Sequence, residues 1–224
     1  PSRWGVLYDV DPRLRPDGSK GMLAVFRDRL LEYYQREAQM WERLALMKVR
    51  SAAGDMGFAE GIAEELREIV FGWEMSREEV DHLEQLRNRL IRSASSRDIK
   101  RRPGGLADVE LAVRLMQLRH AGTCPALRHW GIFRAIEILE QYGLEPSSDL
   151  ETLRDTYLLL RRLLNRVRMA RGSSTAELPK ETERLYLGRR LRLQQDPLEA
   201  ADRMMAQTAV IAERQLARTR GAAR

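Results

Sequence analysis

Two periodicities divide the chain. Up to about residue 21 apolar and polar positions alternate, and from about residue 26 apolar positions recur every three or four residues, the spacing of amphipathic helices. In the first stretch Val6, Tyr8 and Val10 alternate with Asp9 and Asp11, which predicts a strand over Val6–Asp11 with both carboxylates on one face. Pro12 has no amide hydrogen for a ladder and should end that strand, after which Arg13 and Arg15 again point together. Met22–Ala24 fits a further short strand or edge. Leu30, Leu31, Tyr34, Met40, Trp41, Leu44 and Met47 then predict one long helix over about Phe26–Ala52, broken at Gly54-Asp55. A second helix is expected over about Phe58–Phe71, with Ile62, Leu66 and Ile69 inward and Gly72 as its C-terminal cap. Ser76 with Glu79 forms a capping box that starts a third at Arg77, running to about Ser95 with Val80, Leu83, Leu86, Leu90 and Ile91 inward.

The polar, basic segment Ser93–Pro103 reads as a linker, and Gly104-Gly105 opens a fourth helix with Leu106, Val109, Val113, Met116 and Leu118 on one broad face. A fifth helix should span about Ala126–Gln141 and close at Gly143. Ser148 and Glu151 suggest another capping box, followed by Leu150, Leu153, Tyr157, Leu160, Leu164 and Val167 at alternating three and four, the seam of a helix packed against an antiparallel neighbour. Pro179 starts a helix to about Leu193, and Pro197 starts the last, which should fray over Gly221–Arg224. The expected class is mainly α, a multi-helix bundle preceded by a short strand. The domains are 1–24, the strand segment, and 25–224, the helical domain.

Composition removes several function classes. The longest apolar runs, such as Tyr157–Leu160, are too short to cross a bilayer, so no membrane partner is expected. Cys124 is the single cysteine, cannot form an internal disulfide, and fits a cytoplasmic protein; no signal-like segment precedes Tyr8. His120 and His129 lie near it in sequence, a weak pattern for a cysteine nucleophile. The 39 basic residues are mixed with 33 acidic ones, the pattern of a solvated surface, and no basic stretch is interleaved with aromatic residues to stack bases. No nucleic-acid partner is expected.

Three constellations carry candidate chemistry. Asp9 and Asp11 with Arg13, Arg15 and Lys20 combine carboxylates that can hold a divalent cation with guanidinium forks that neutralise phosphate charge; an exposed edge strand with paired charges has the same composition. Gln35, Glu42 and Arg50 fall seven and eight apart on the first long helix, on a stripe offset from the apolar one, which spacing alone assigns to a salt-bridged solvent face. Asp98-Ile99-Lys100 is followed by Gly104-Gly105-Leu106-Ala107-Asp108-Val109-Glu110, where helix-start amides could receive a phosphate or carboxylate, although acidic residues in a first turn also favour the helix dipole without any ligand.

Taken together, these blocks resemble the glutamine synthetase adenylyltransferase family. The resemblance rests on Tyr8-Asp9-Val10-Asp11-Pro12-Arg13-Leu14-Arg15-Pro16, Gly18 and Gly21, Tyr34-Gln35-Arg36-Glu37, Trp41-Glu42, Ala45-Leu46, Arg50, Asp98-Ile99-Lys100 and Gly104-Gly105 with Asp108 and Glu110, in that order across Tyr8–Leu118. It implies part of an enzyme that attaches AMP from ATP to a tyrosine of glutamine synthetase, or removes it by phosphorolysis, under a PII-type signal protein. Mg2+ and ATP are the implied cofactors, and the strand becomes the remnant of a nucleotidyltransferase α/β domain. Asp11 matches the family's acidic position and is the implied metal carboxylate, with Asp9 beside it; Arg13 and Arg15 match its arginines near phosphate. Lys20, Arg50, Gly104 and Gly105 are the implied nucleotide contacts. The family's principal Asp-x-Asp pair lies upstream of this block and is not among the seven residues before Tyr8, so the chain resembles the end of one catalytic unit. The Gly104–Glu110 block resembles the transferase half more than the removing half, and the end expected to fray after the last helix suits a natural C-terminus. The alternative is a catalytically silent helical module that binds glutamine synthetase or a PII-type protein.

Overall fold

In the computed structural model, which describes residues 15–172 and 175–223, the chain divides into two compact units that meet between Trp73 and Glu74. The strand expected over Val6–Asp11 lies outside the described residues. Met22–Ala24 is irregular rather than a strand, and the one β-type pairing among the described residues is an isolated antiparallel bridge between Asp98 and Glu177.

The first unit contains α1 (Arg27–Arg36), α2 (Met40–Leu46) and α3 (Met56–Phe71). The single long helix predicted for Phe26–Ala52 is therefore two. Its break follows from a local signal: Gln39 and Glu42 form a capping box in which the Gln39 amide donates to the Glu42 carboxylate at 2.8 Å, so a new helix starts inside the apolar period. Amides of Glu37 and Ala38 both donate to Tyr33 O and close α1. The two pieces turn Tyr33, Tyr34, Met40, Leu46 and Met47 inward against Ala63, Leu66, Val70 and Phe71 of α3. Asp55 caps α3 by accepting from the Phe58 amide at 3.0 Å, and Arg27 on α1 reaches Glu65 on α3 at 3.2 Å.

The second unit holds α4 (Arg77–Arg92), α5 (Leu106–His120), α6 (Ile132–Gln141), α7 (Ser147–Arg171), α8 (Glu181–Arg190) and α9 (Pro197–Ala222). The Ser76–Glu79 capping box is made in both directions, at 3.2 and 2.9 Å. The face of α4 differs from the apolar pattern, since Arg87 is buried while Leu90 is exposed, because a carboxylate on α5 draws Arg87 inward. α5 is buried on most of its circumference rather than on one face: α6, α7 and α9 all pack on it, and Ala112, Val113, Leu115 and Met116 are covered together. The Ala126–Gly131 part of the fifth predicted helix is a 3-10 turn and loop, with Pro125 at the start of the turn, and α6 begins only at Ile132. α7 starts after Pro146 without a side-chain cap, so Ser148 lies in its first turn and the expected capping box is not formed. Its seam holds as expected: Leu150, Leu153, Tyr157, Leu160, Leu164 and Val167 are all buried. The last helix is capped by Asp196, which accepts from the Leu198 amide at 2.7 Å, and runs through Gly221 to Ala222. Alanines 200, 201 and 212 are buried on its inner face, and Thr208 donates to Thr156 on α7 at 3.0 Å in the buried interface. No helix among the described residues is long and apolar enough to cross a membrane.

Candidate functional site

The first constellation begins outside the described residues, where Asp9, Asp11 and Arg13 lie. Its remainder is a tight turn. Asp17 and Gly18 take left-handed backbone, at φ 62° and 56°, and a 3-10 turn follows over Gly18–Lys20. Arg15 closes it from within, its Nε donating to Gly21 O at 3.1 Å and its Nη2 to Ser19 O at 3.3 Å. A side chain at Gly21 would sit 1.8 Å from Pro16 O, so only glycine fits there. Arg15 is thus folded into the turn, and Lys20 is exposed.

The second constellation is not one stripe, because the helix that should carry it is broken. Glu42 is buried and accepts from Tyr33 Oη at 2.9 Å. Gln35, on α1, lines a cleft of about 470 Å3 with Tyr34, Arg43, Glu65 and Trp73. There Arg43 stacks on the Trp73 ring at 5.0 Å and donates to Gln35 O at 3.2 Å. Burial, reinforced by Glu42, pushes the hydroxyls of both Tyr33 and Tyr34 up to about 12. Arg50 is exposed beyond α2.

In the second unit the Gly-Gly segment is engaged internally. Gly104 has φ 72°, and a Cβ there would stand 1.7 Å from Met205 O on α9. Its amide donates to Asp108 Oδ2 at 2.7 Å, and the Gly105 amide donates to Arg102 O at 2.9 Å. Asp108 is gripped by Arg87 as well, in a bidentate pair at 2.8 and 2.7 Å. That pairing holds the Arg87 guanidinium above its ordinary value. The linker predicted over Ser93–Pro103 is equally ordered: Asp98 is fully buried and accepts from the Lys100 and Arg101 amides, both at 2.9 Å, and from Arg101 Nε at 2.6 Å.

Two further polar centres carry no sequence signal. Glu145, in the loop before α7, is buried among Arg119 at 2.7 Å, His120 Nε2 at 3.1 Å and Arg218 at 2.9 Å. Arg114 is buried in α5 and donates to Trp130 O at 2.6 Å and Gln117 Oε1 at 2.6 Å; burial pushes its guanidinium down to about 10. His120 thus faces Glu145, and His129 Nδ1 accepts from the Gly131 amide at 2.9 Å, while Cys124 is buried. Among the described residues no group of carboxylate, histidine and cysteine side chains could hold a metal ion.

Known proteins resolve what class this is. Residues 1–65 match the family model of glutamate-ammonia ligase adenylyltransferase, and residues 74–218 match that of GlnD PII-uridylyltransferase. Both matched families are nucleotidyltransferases, and that is the class this chain is similar to. A bifunctional glutamine synthetase adenylyltransferase/adenylyl-removing enzyme from Stenotrophomonas maltophilia (strain K279a) is 35% identical over 191 residues, covering 82% of this chain and 20% of that protein. Its counterpart in Streptomyces avermitilis is 33% identical over 217 residues, covering 94% of this chain and 22% of the relative. The chain belongs to the glutamine synthetase adenylyltransferase family, and it spans about a fifth of the length of these relatives.

Proposed function

We propose that the chain is the terminal part of one catalytic unit of an enzyme that transfers AMP from ATP to a tyrosine of glutamine synthetase, or removes it by phosphorolysis, and so regulates nitrogen assimilation. The observation that carries this is the ordered pair of family matches, an adenylyltransferase segment followed by a helical segment shared with a uridylyltransferase. In the forward reaction the tyrosine oxygen bonds to the α-phosphorus, the bond to the bridging oxygen breaks, and pyrophosphate leaves. Asp11, with Asp9 beside it, is assigned to Mg2+, which supplies charge neutralisation at the phosphates. Arg13, Arg15 and Lys20 are assigned to offset the remaining charge, and the turn that Arg15 closes holds Arg15 itself. Arg50 is assigned to the nucleotide. Gly104 and Gly105, whose amides are engaged, contribute by holding α5 against α9 rather than by receiving phosphate. A PII-type signal protein is the proposed regulator and the cytoplasm the proposed location.

In the full-length parent enzyme, Asp11→Ala is expected to lower AMP transfer by about a hundredfold or more, as removal of a charge-stabilising group does, with an unchanged circular dichroism spectrum. Radiolabelled transfer at near wild-type rate would sink the assignment.

A second reading is favoured by the internal engagement of the Gly-Gly segment: the helical unit binds glutamine synthetase or a PII-type protein and is itself silent in catalysis. Saturable binding of magnesium-ATP to the isolated chain, lost on Arg15→Ala, supports the first reading; calorimetric silence supports the second.

A further inference from the structure

The chain carries a net charge of +6, yet residues 156–193 contain ten basic and only three acidic side chains, an excess of seven, so the remainder is close to neutral. Three of these ten basic residues, Arg166, Arg171 and Arg190, line one feature, together with one of the three acidic ones, Glu183. The second half of α7 and the whole of α8 enclose an open cleft of about 760 Å3. Its floor is apolar, made by Val167, Ala170, Pro179 and Leu187, and its rim carries Arg166, Arg171 and Arg190.

We infer that this cleft docks an acidic polypeptide segment with an apolar anchor, contributed by the protein that the catalytic unit modifies. Charge complementarity decides the sign of the partner, and the floor decides its kind. A sugar-phosphate backbone has no use for four apolar side chains, and nucleic-acid grooves present several aromatic platforms. This cleft has one, Tyr186, whose ring already faces the Arg190 guanidinium at 5.2 Å and whose hydroxyl accepts from Arg190 Nε at 2.8 Å. Glu183 is occupied by Arg171 at 2.7 Å, so an incoming carboxylate can exchange with it on the same arginine. The identity of the partner rests on the function proposed above; the cleft's preference for an acidic segment does not.

The test uses the full chain and a fluorescein-labelled peptide in which Glu and Asp flank one Leu and one Phe, read by fluorescence anisotropy. Expected are saturable binding that weakens with salt, at least tenfold weaker binding to Arg166→Glu/Arg190→Glu with an unchanged melting temperature, and displacement of the peptide by unmodified glutamine synthetase. Undiminished binding to the double variant overturns the inference. So does undiminished binding of a peptide whose Leu and Phe are replaced by Ser, tighter binding of a single-stranded oligonucleotide of equal charge, or failure of glutamine synthetase to compete. None of these measurements involves AMP transfer, so loss of the proposed activity registers in the Asp11→Ala assay and not here.

Discussion

Asp108 is one of the buried carboxylates that tie the second unit together. It accepts from Arg87 twice and from the Gly104 amide, so one carboxylate joins α4, the Gly-Gly segment and the first turn of α5. A buried pair adds little by existing, but removing one partner strands the other charge. Asp108→Ala is therefore expected to cost about 3–5 kcal/mol in urea unfolding. Arg87→Met/Asp108→Leu should lose less than that single change. The tyrosines offer a pH-dependent counterpart in the first unit. Tyr33 and Tyr34 ionise near 12 in the folded chain because burial disfavours the phenolate, while the unfolded side chains ionise near 10. Their folded values are raised, so the stability they contribute is complete below pH 10 and is lost as pH climbs from 10 to 12. Absorbance at the tyrosinate band should show both titrating about two units late, and only in the folded protein. Two late titrations persisting in denaturant would refute burial as their cause.

At the scale of elements, boundaries set by adjacent residues were legible and those set by distant ones were not. The start of α4 could be read from Ser76 and Glu79, and the α7 seam from its three-four spacing, because cap and period are local. The same logic overreached at Ser148, where Pro146 already starts the helix, and overlooked Gln39, whose capping box with Glu42 splits the first predicted helix. The inward turn of Arg87 was not legible at all, since its partner lies 21 residues further on in another helix. Asp9, Asp11 and Arg13 were singled out by sequence and lie outside the described residues, whereas Glu145 and Arg114 emerged only from packing. These differences can be measured. Ser76→Ala removes an acceptor used by the Glu79 amide and should cost about 1 kcal/mol, while Ser148→Ala, which caps nothing, should leave thermal unfolding almost unchanged. Equal losses would contradict the assigned start of α7.

For the whole chain, the two family matches end and begin at residues 65 and 74, and the compact units divide between 73 and 74. The sequence period changes much earlier, near residue 25, just before α1 begins at Arg27, and does not coincide with the division between the compact units. What makes the second unit a body of its own is where its largest buried side chains lie. Leu115, Met116, Leu127, Ile136, Leu139, Leu150, Leu153, Leu160 and Leu163 are all essentially inaccessible and all follow Glu74. Its charged clamps are internal too: Arg87 to Asp108, Arg218 to Glu145, Arg214 to Asp149 at 2.6 Å and Arg220 to Asp81 at 2.8 Å. A body of about 150 residues buries enough surface to fold alone. Residues 74–224 expressed separately are therefore expected to give one cooperative thermal transition with native-like helicity, and Asp108→Ala should lower it by the same free energy as in the full chain. A fragment without cooperative unfolding would show that residues before Glu74 complete its core, and would also remove the basis for treating the α7–α8 cleft as a property of this unit.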